Sequence, residues 1–189
     1  MSKRWVVVFV LSAIALAACG DDGSDTRSNS ASASGSGSGS GSAVSGSGSK
    51  TASDAKCEPH GDASKATTSI PVSLSEFKIT LTEDTAPAGL VHFELSNVGA
   101  EPHEFVVVKG VAPDELPLDA DGALDESALP DGALIGEVEP FPGKGETCDG
   151  TFELSAGDYT LLCNIVETEA NGEVEAHLHE KMVTTFTVT

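Results

Sequence analysis

The sequence predicts an all-β sandwich preceded by a disordered tether rich in glycine and serine. Three observations point there. From Thr67 onward, short apolar segments alternate with polar residues at a period of two, which places one set of side chains on one face of a strand. Turn residues recur between these segments and no long helical pattern interrupts them, which favours many short strands packed as two sheets. Ahead of them, Ser32 to Ser49 is almost pure glycine and serine. Such a stretch has no apolar surface to bury and stays unfolded.

The strands follow one another along the chain. Ile70-Pro71-Val72-Ser73-Leu74 and Phe77-Lys78-Ile79-Thr80-Leu81 come first. Ala86-Pro87-Ala88-Gly89 is a turn, after which Val91, Phe93 and Leu95 alternate with His92, Glu94 and Ser96. Phe105 to Val108 is continuously apolar, as a fully buried strand would be. Lys109 to Glu146 breaks the rhythm. It is rich in Pro, Gly and Asp and reads as an extended loop with a short helical turn near Asp125–Leu129. Asp119-Ala120-Asp121-Gly122 within it resembles a calcium loop, but an EF-hand sets its glycine at the sixth position, so this is read as a turn. Phe152 and Leu154 precede the turn Ser155-Ala156-Gly157-Asp158. Tyr159, Leu161 and Cys163 then share a face, with Tyr159 in the place of a tyrosine corner. Phe186 and Val188 close the chain.

The N-terminus has its own logic. Lys3 and Arg4 precede an apolar run from Trp5 to Ala18, broken only by Ser12. That run is too short to span a membrane comfortably and reads as a secretory leader over residues 1–18. It ends Leu16-Ala17-Ala18-Cys19 and is followed by Gly20-Asp21-Asp22. This resembles a bacterial lipobox, whose cysteine becomes the acylated first residue. Cys19 is therefore the expected lipidation site and membrane anchor. Residues 19–66 form the expected linker, about 45 residues long with a typical span of roughly 35–40 Å. Residues 67–189 form the folded domain, enough for one hydrophobic core.

The formal charge of −20 excludes phosphate-driven binding of nucleic acid. It favours partners with basic surfaces.

Three segments carry metal-ligating side chains. Pro102-His103-Glu104-Phe105 sets a histidine where a polar turn enters a buried strand. Asp158-Tyr159-Thr160-Leu161-Leu162-Cys163 sets a cysteine at the end of another. His177-Leu178-His179-Glu180-Lys181-Met182 sets histidine and methionine just before the last strand. Met182 is the sole methionine once the leader is removed.

Here the chain resembles the cupredoxins of the plastocyanin/azurin type. Asn97-Val98-Gly99 before His103, Tyr159 four residues before Cys163, and His177 five residues before Met182 match that family's motifs, in its order. The resemblance spans roughly Ser69 to Thr189. It implies a cupredoxin-like Greek-key sandwich with one type 1 copper ion, cycling between Cu+ and Cu2+. His103, Cys163 and His177 would be equatorial ligands and Met182 the weak axial one, a geometry suited to electron transfer. His179 is the rival of His177, since positions 177 and 179 point the same way on a strand. With Cys163 on copper, Cys57 and Cys148 remain for a disulfide, which export permits. A second metal site at Cys57 and His60 is the alternative.

Three departures from the family stand out. The gap from Cys163 to His177 is long, and Asn171-Gly172 inside it signals a hairpin. Glu104 follows the first histidine where asparagine is frequent. Lys181 replaces the glycine usual before the methionine. The last two bear on the redox potential and the axial bond.

The expected function is a lipid-anchored, monomeric, extracytoplasmic one-electron carrier, not an enzyme. Its partner would be a redox protein such as a cytochrome or an oxidase with a basic surface. Copper capture and delivery, or a copper-free interaction module on the same fold, are the alternatives.

Overall fold

A computed structural model describes residues 56–169 and 171–189. The expected leader, the expected lipidation site Cys19 and the expected linker as far as residue 55 lie outside the described residues. In chain order the strands are β1 (Thr68–Ser75), β2 (Lys78–Leu81), β3 (Thr85–Ala86), β4 (Gly89–Asn97), β5 (His103–Lys109), β6 (Leu134–Phe141), β7 (Glu146–Leu154), β8 (Gly157–Leu162), β9 (Val166–Thr168), β10 (Val174–Ala176) and β11 (Val183–Val188). They form the all-β sandwich that the alternating segments implied. One sheet has the order β2-β1-β4-β7, the other β3-β11-β8-β5-β6, and β9 and β10 stand apart as a two-stranded hairpin.

Period two decides what faces inward. Ile70, Val72 and Leu74 of β1 and Val91, Phe93 and Leu95 of β4 are buried, and the parallel register sets Ile70 beside Phe93. Phe93 lies at the centre, with ring centroids 5.1 Å from Phe105, 5.4 Å from Phe186 and 6.2 Å from Phe152. Burying each such ring stabilises the fold by roughly 1.5–3 kcal/mol. Tyr159 is buried as well, and its hydroxyl donates to the Ser155 carbonyl at 2.7 Å, closing the corner before β8.

The continuous apolar run on β5 has a structural reason. Phe105 and Val107 face the core between the sheets, while Val106 and Val108 join a second apolar cluster with Leu116, Leu124, Leu162 and Leu178. The excursion after β5 therefore roofs the outer face of the five-stranded sheet.

That excursion corrects the expectation of one extended loop from Lys109 to Glu146. The short helical turn is there, as a 3-10 turn over Glu126–Ala128 capped by Asp125. Asp119 makes a turn, its Oδ1 accepting from the N–H groups of Asp121 and Ala123. The last third is strand β6, at the sheet edge, paired to β5 with two register shifts. Bulges and edge exposure disrupt alternation, and Leu134 to Glu137 are all only partly buried.

Ordered structure also begins before residue 67. Cys57 is joined to Cys148 of β7 by a disulfide. His60 bridges to Gly150 and stacks on Phe152 at 4.5 Å, and a 3-10 turn covers Ala63–Lys65. Glycine-poor and anchored by a cross-link, Cys57 to Lys65 belongs structurally with the sandwich.

Candidate metal centre

β11, β8 and β5 are adjacent and antiparallel in the five-stranded sheet. The start of β5, the end of β8 and the start of β11 thus meet at one end of the sandwich. His103 opens β5, Cys163 follows β8, and Met182 precedes β11. All three, with His177, have no exposed surface.

The two histidines turn their Nδ1 atoms to the sulfur. Nδ1 to Nδ1 is 3.2 Å, Sγ of Cys163 to Nδ1 of His177 is 3.3 Å, and Sγ to Nδ1 of His103 is 3.9 Å. A point equidistant from all three lies inside the triangle, about 2.0 Å from each atom, which is the length of a metal–nitrogen bond and a little under a metal–sulfur one. One soft thiolate and two imidazoles in a trigonal array, with a methionine beside them, are the donors that suit one copper ion.

The titration behaviour fits a cation site. Burial holds His177 down to about 4, with His103 adding to the effect. Burial likewise depresses His103. Both imidazoles are neutral at neutral pH and free to ligate. Burial, then the Glu104 carboxylate, pushes the Cys163 thiol far up. A metal ion reverses that by binding the thiolate outright.

Backbone hydrogen bonds set the ligands before any ion arrives. The Cys163 N–H donates to the Met182 carbonyl at 3.1 Å. Residues 177–181 form a turn rather than a strand, so the alternation that made His179 a rival does not apply. Leu178 is buried in the outer cluster and His177 faces the metal site, while His179 is exposed, its side chain 71% accessible. Upstream, the side chain of Asn97 donates to the carbonyls of Glu101 and Phe141 at 2.8 and 3.3 Å and accepts from Gly99 N–H at 3.1 Å. The Asn-x-Gly motif is thus the brace of the loop that delivers His103.

Two departures from the family pattern acquire roles. Glu104 sends its own N–H toward Cys163 Sγ at 3.4 Å and accepts from the Asn164 N–H at 2.6 Å, stitching the two ligand segments together. Burial, helped by Glu137, raises its carboxyl to about 8. Lys181 has φ of +72°, the left-handed region that glycine occupies without penalty.

The inserted segment forms the expected hairpin, with Glu175 opposite Glu167. Two carboxylates not singled out in the sequence also reach the centre. Glu76 Oε1 lies 3.7 Å from His103 Nε2, and Glu101 Oε2 lies 3.9 Å from His177 Nε2. Glu76 also accepts from the N–H groups of Ala100 and Glu101 at 2.6 and 2.8 Å. Burial pulls its carboxyl up, but these and its own N–H outweigh that and hold it below the usual range. Phe77 covers His177 edge-on at 5.0 Å. Cys57, in its disulfide, offers no thiolate to a site with His60.

No protein-family model and no curated protein matches the sequence. Similar solved structures include dithionite-reduced auracyanin from the photosynthetic bacterium Roseiflexus castenholzii, at 23% identity over 66% of this chain and 98% of that one, TM-score 0.46. Auracyanin B is 17% identical over 71% of this chain and 96% of its own, TM-score 0.45. Rusticyanin from Thiobacillus ferrooxidans is 14% identical over 64% and 77%, TM-score 0.43.

Proposed function

We propose that this chain is a cupredoxin which holds one copper ion through His103, Cys163, His177 and Met182 and carries single electrons between extracytoplasmic redox proteins. The observation that carries the reading is the buried triangle of two Nδ1 atoms and one Sγ around a common point about 2.0 Å away. Bound there, copper would supply a reversible one-electron couple. The protein's part is to hold its donors still. His103 and Cys163 lie at the ends of paired strands, and backbone hydrogen bonds join Met182 to both His177 and Cys163. Donors fixed in this way need little rearrangement when the charge at the site changes.

Full burial of the four ligands supports keeping an ion over handing it to an acceptor. The leader and Cys19 support an anchor in a membrane facing an oxidising compartment, as does the disulfide of Cys57 and Cys148. The hairpin beside the site carries Glu167, Glu169, Glu173 and Glu175 and would steer a basic redox partner. Neutralising these four should slow electron transfer at low salt and flatten its salt dependence.

The test of the centre is an optical spectrum after adding Cu(II) and removing the excess. An intense visible band, lost in Cys163→Ala, is the expected result. A colourless chain without copper would overturn the reading.

A further inference from the structure

His177 stands between two donor sets. Its Nδ1 edge faces Cys163 and His103. Its Nε2 edge faces carboxylates, and donor atoms of Glu101, Glu175 and His177 all lie within 4.8 Å of one another. His177 Nε2 and Glu101 Oε2 are both buried without a hydrogen-bond partner, and such unpaired polar atoms are costly. At 3.9 Å they are too far apart to bond to each other. Tetrahedral bonds of about 2 Å would set them roughly 3.3 Å apart, so one ion would draw them together by about half an ångström.

The surrounding charge makes the same demand. Glu175 and Glu167 are directly opposite across the hairpin, an arrangement that destabilises when both are ionised. Among the described residues, none of Glu101, Glu167 and Glu175 pairs with a lysine or arginine. Positive charge is missing from this rim, and it is missing where a wholly buried imidazole nitrogen points.

We propose that Glu101, Glu175 and Nε2 of His177 form a second cation site, on the outer edge of the ring whose inner edge belongs to the copper centre. One imidazole with two carboxylates suits a borderline divalent ion of the zinc class, with water completing the coordination. Binding at Nε2 releases its proton to solvent and leaves the ring bridging two cations as an imidazolate. The inserted hairpin gains a purpose, since it brings Glu175 to the site. Only the inner ion rests on the copper reading; the outer donors are independent of it.

The experiment measures zinc retained per chain after Zn2+ is added to the full-length protein and the excess removed, with and without copper. The wild type should hold one Zn2+ more than the E101Q/E175Q double variant in both states. E167Q, which removes a neighbouring charge outside the triad, should keep that ion. In the copper-loaded wild type, Zn2+ should shift the visible band, and in the double variant it should not. Equal zinc content in wild type and double variant would overturn the site, as would a loss in E167Q as large as in the double variant. Zinc bound without a band shift would overturn the shared ring. Failure of the copper reading shows separately, as a missing band with the zinc difference intact. Circular dichroism checks the sheets; were the double variant unfolded, E101Q and E175Q alone should each weaken Zn2+ binding at least tenfold.

Discussion

The backbone N–H of Met182 donates to the carbonyl of His177 at 2.9 Å, so the last two ligands are the ends of one closed turn. The turn is held by main chain and survives a change of side chain. Met182→Leu should therefore keep copper and the visible band. Its reduction potential should rise, because losing an axial donor and gaining an apolar side chain both cost the more highly charged oxidised ion more. Voltammetry reads this, and loss of copper from the variant would show that the thioether retains the ion rather than tunes it.

Lys181 holds the left-handed conformation at a cost of roughly 1–2 kcal/mol for a residue with a Cβ. Glycine removes that cost and adds some chain entropy to the unfolded state. Lys181→Gly should stabilise the chain by up to about 1 kcal/mol, a few degrees in Tm. A lower Tm would mean that the lysine side chain makes a contribution larger than its strain.

Glu104 links stability to pH. Its carboxyl rises from an ordinary 4.5 to about 8 in the folded chain. Between those values the folded protein keeps a proton that the unfolded chain has lost. Without copper, the Glu104 contribution to stability should therefore fall by up to a few kcal/mol as pH rises from about 4.5 to about 8 and level off above, while the depressed His177 opposes it between about 4 and 6.5. Glu104→Gln should flatten this slope and be the more stable form at high pH. Identical urea midpoints against pH in both proteins would refute the assignment.

The disulfide closes a loop with a sequence separation of 91 residues. Replacing both Cys57 and Cys148 with alanine should destabilise the domain by about 4–5 kcal/mol in urea unfolding. The visible band should persist at full intensity, since the copper sulfur is that of Cys163. A vanished band would show that the centre itself depends on this cross-link.

The convergence of His103, Cys163, His177 and Met182 was legible because they sit where period-two strands begin or end, in an order that motifs preserve. The doubly buried β5 was legible too, as an unbroken Phe105–Val108 run. Strand β6 was not, because a bulged edge strand with half-buried Leu134 and Ile135 has no alternation to read. Choosing between His177 and His179 needed the turn that replaces the strand there. Glu76 and Glu101 carry no local signal. Glu76 nears His103 only because β1 and β4 pair in parallel and bring the ends of both strands together.

Where the chain is cross-linked also decides how it bears load. A pull arriving from the N-terminal side meets Cys57 and passes through sulfur to Cys148 on β7, bypassing Glu58 to Thr147. β7 is an edge strand of the four-stranded sheet, zipped along its length to β4. The strands that present His103, Cys163 and Met182 belong to the other sheet. Tension from the proposed anchor would thus enter the four-stranded sheet and not the sheet that presents His103, Cys163 and Met182.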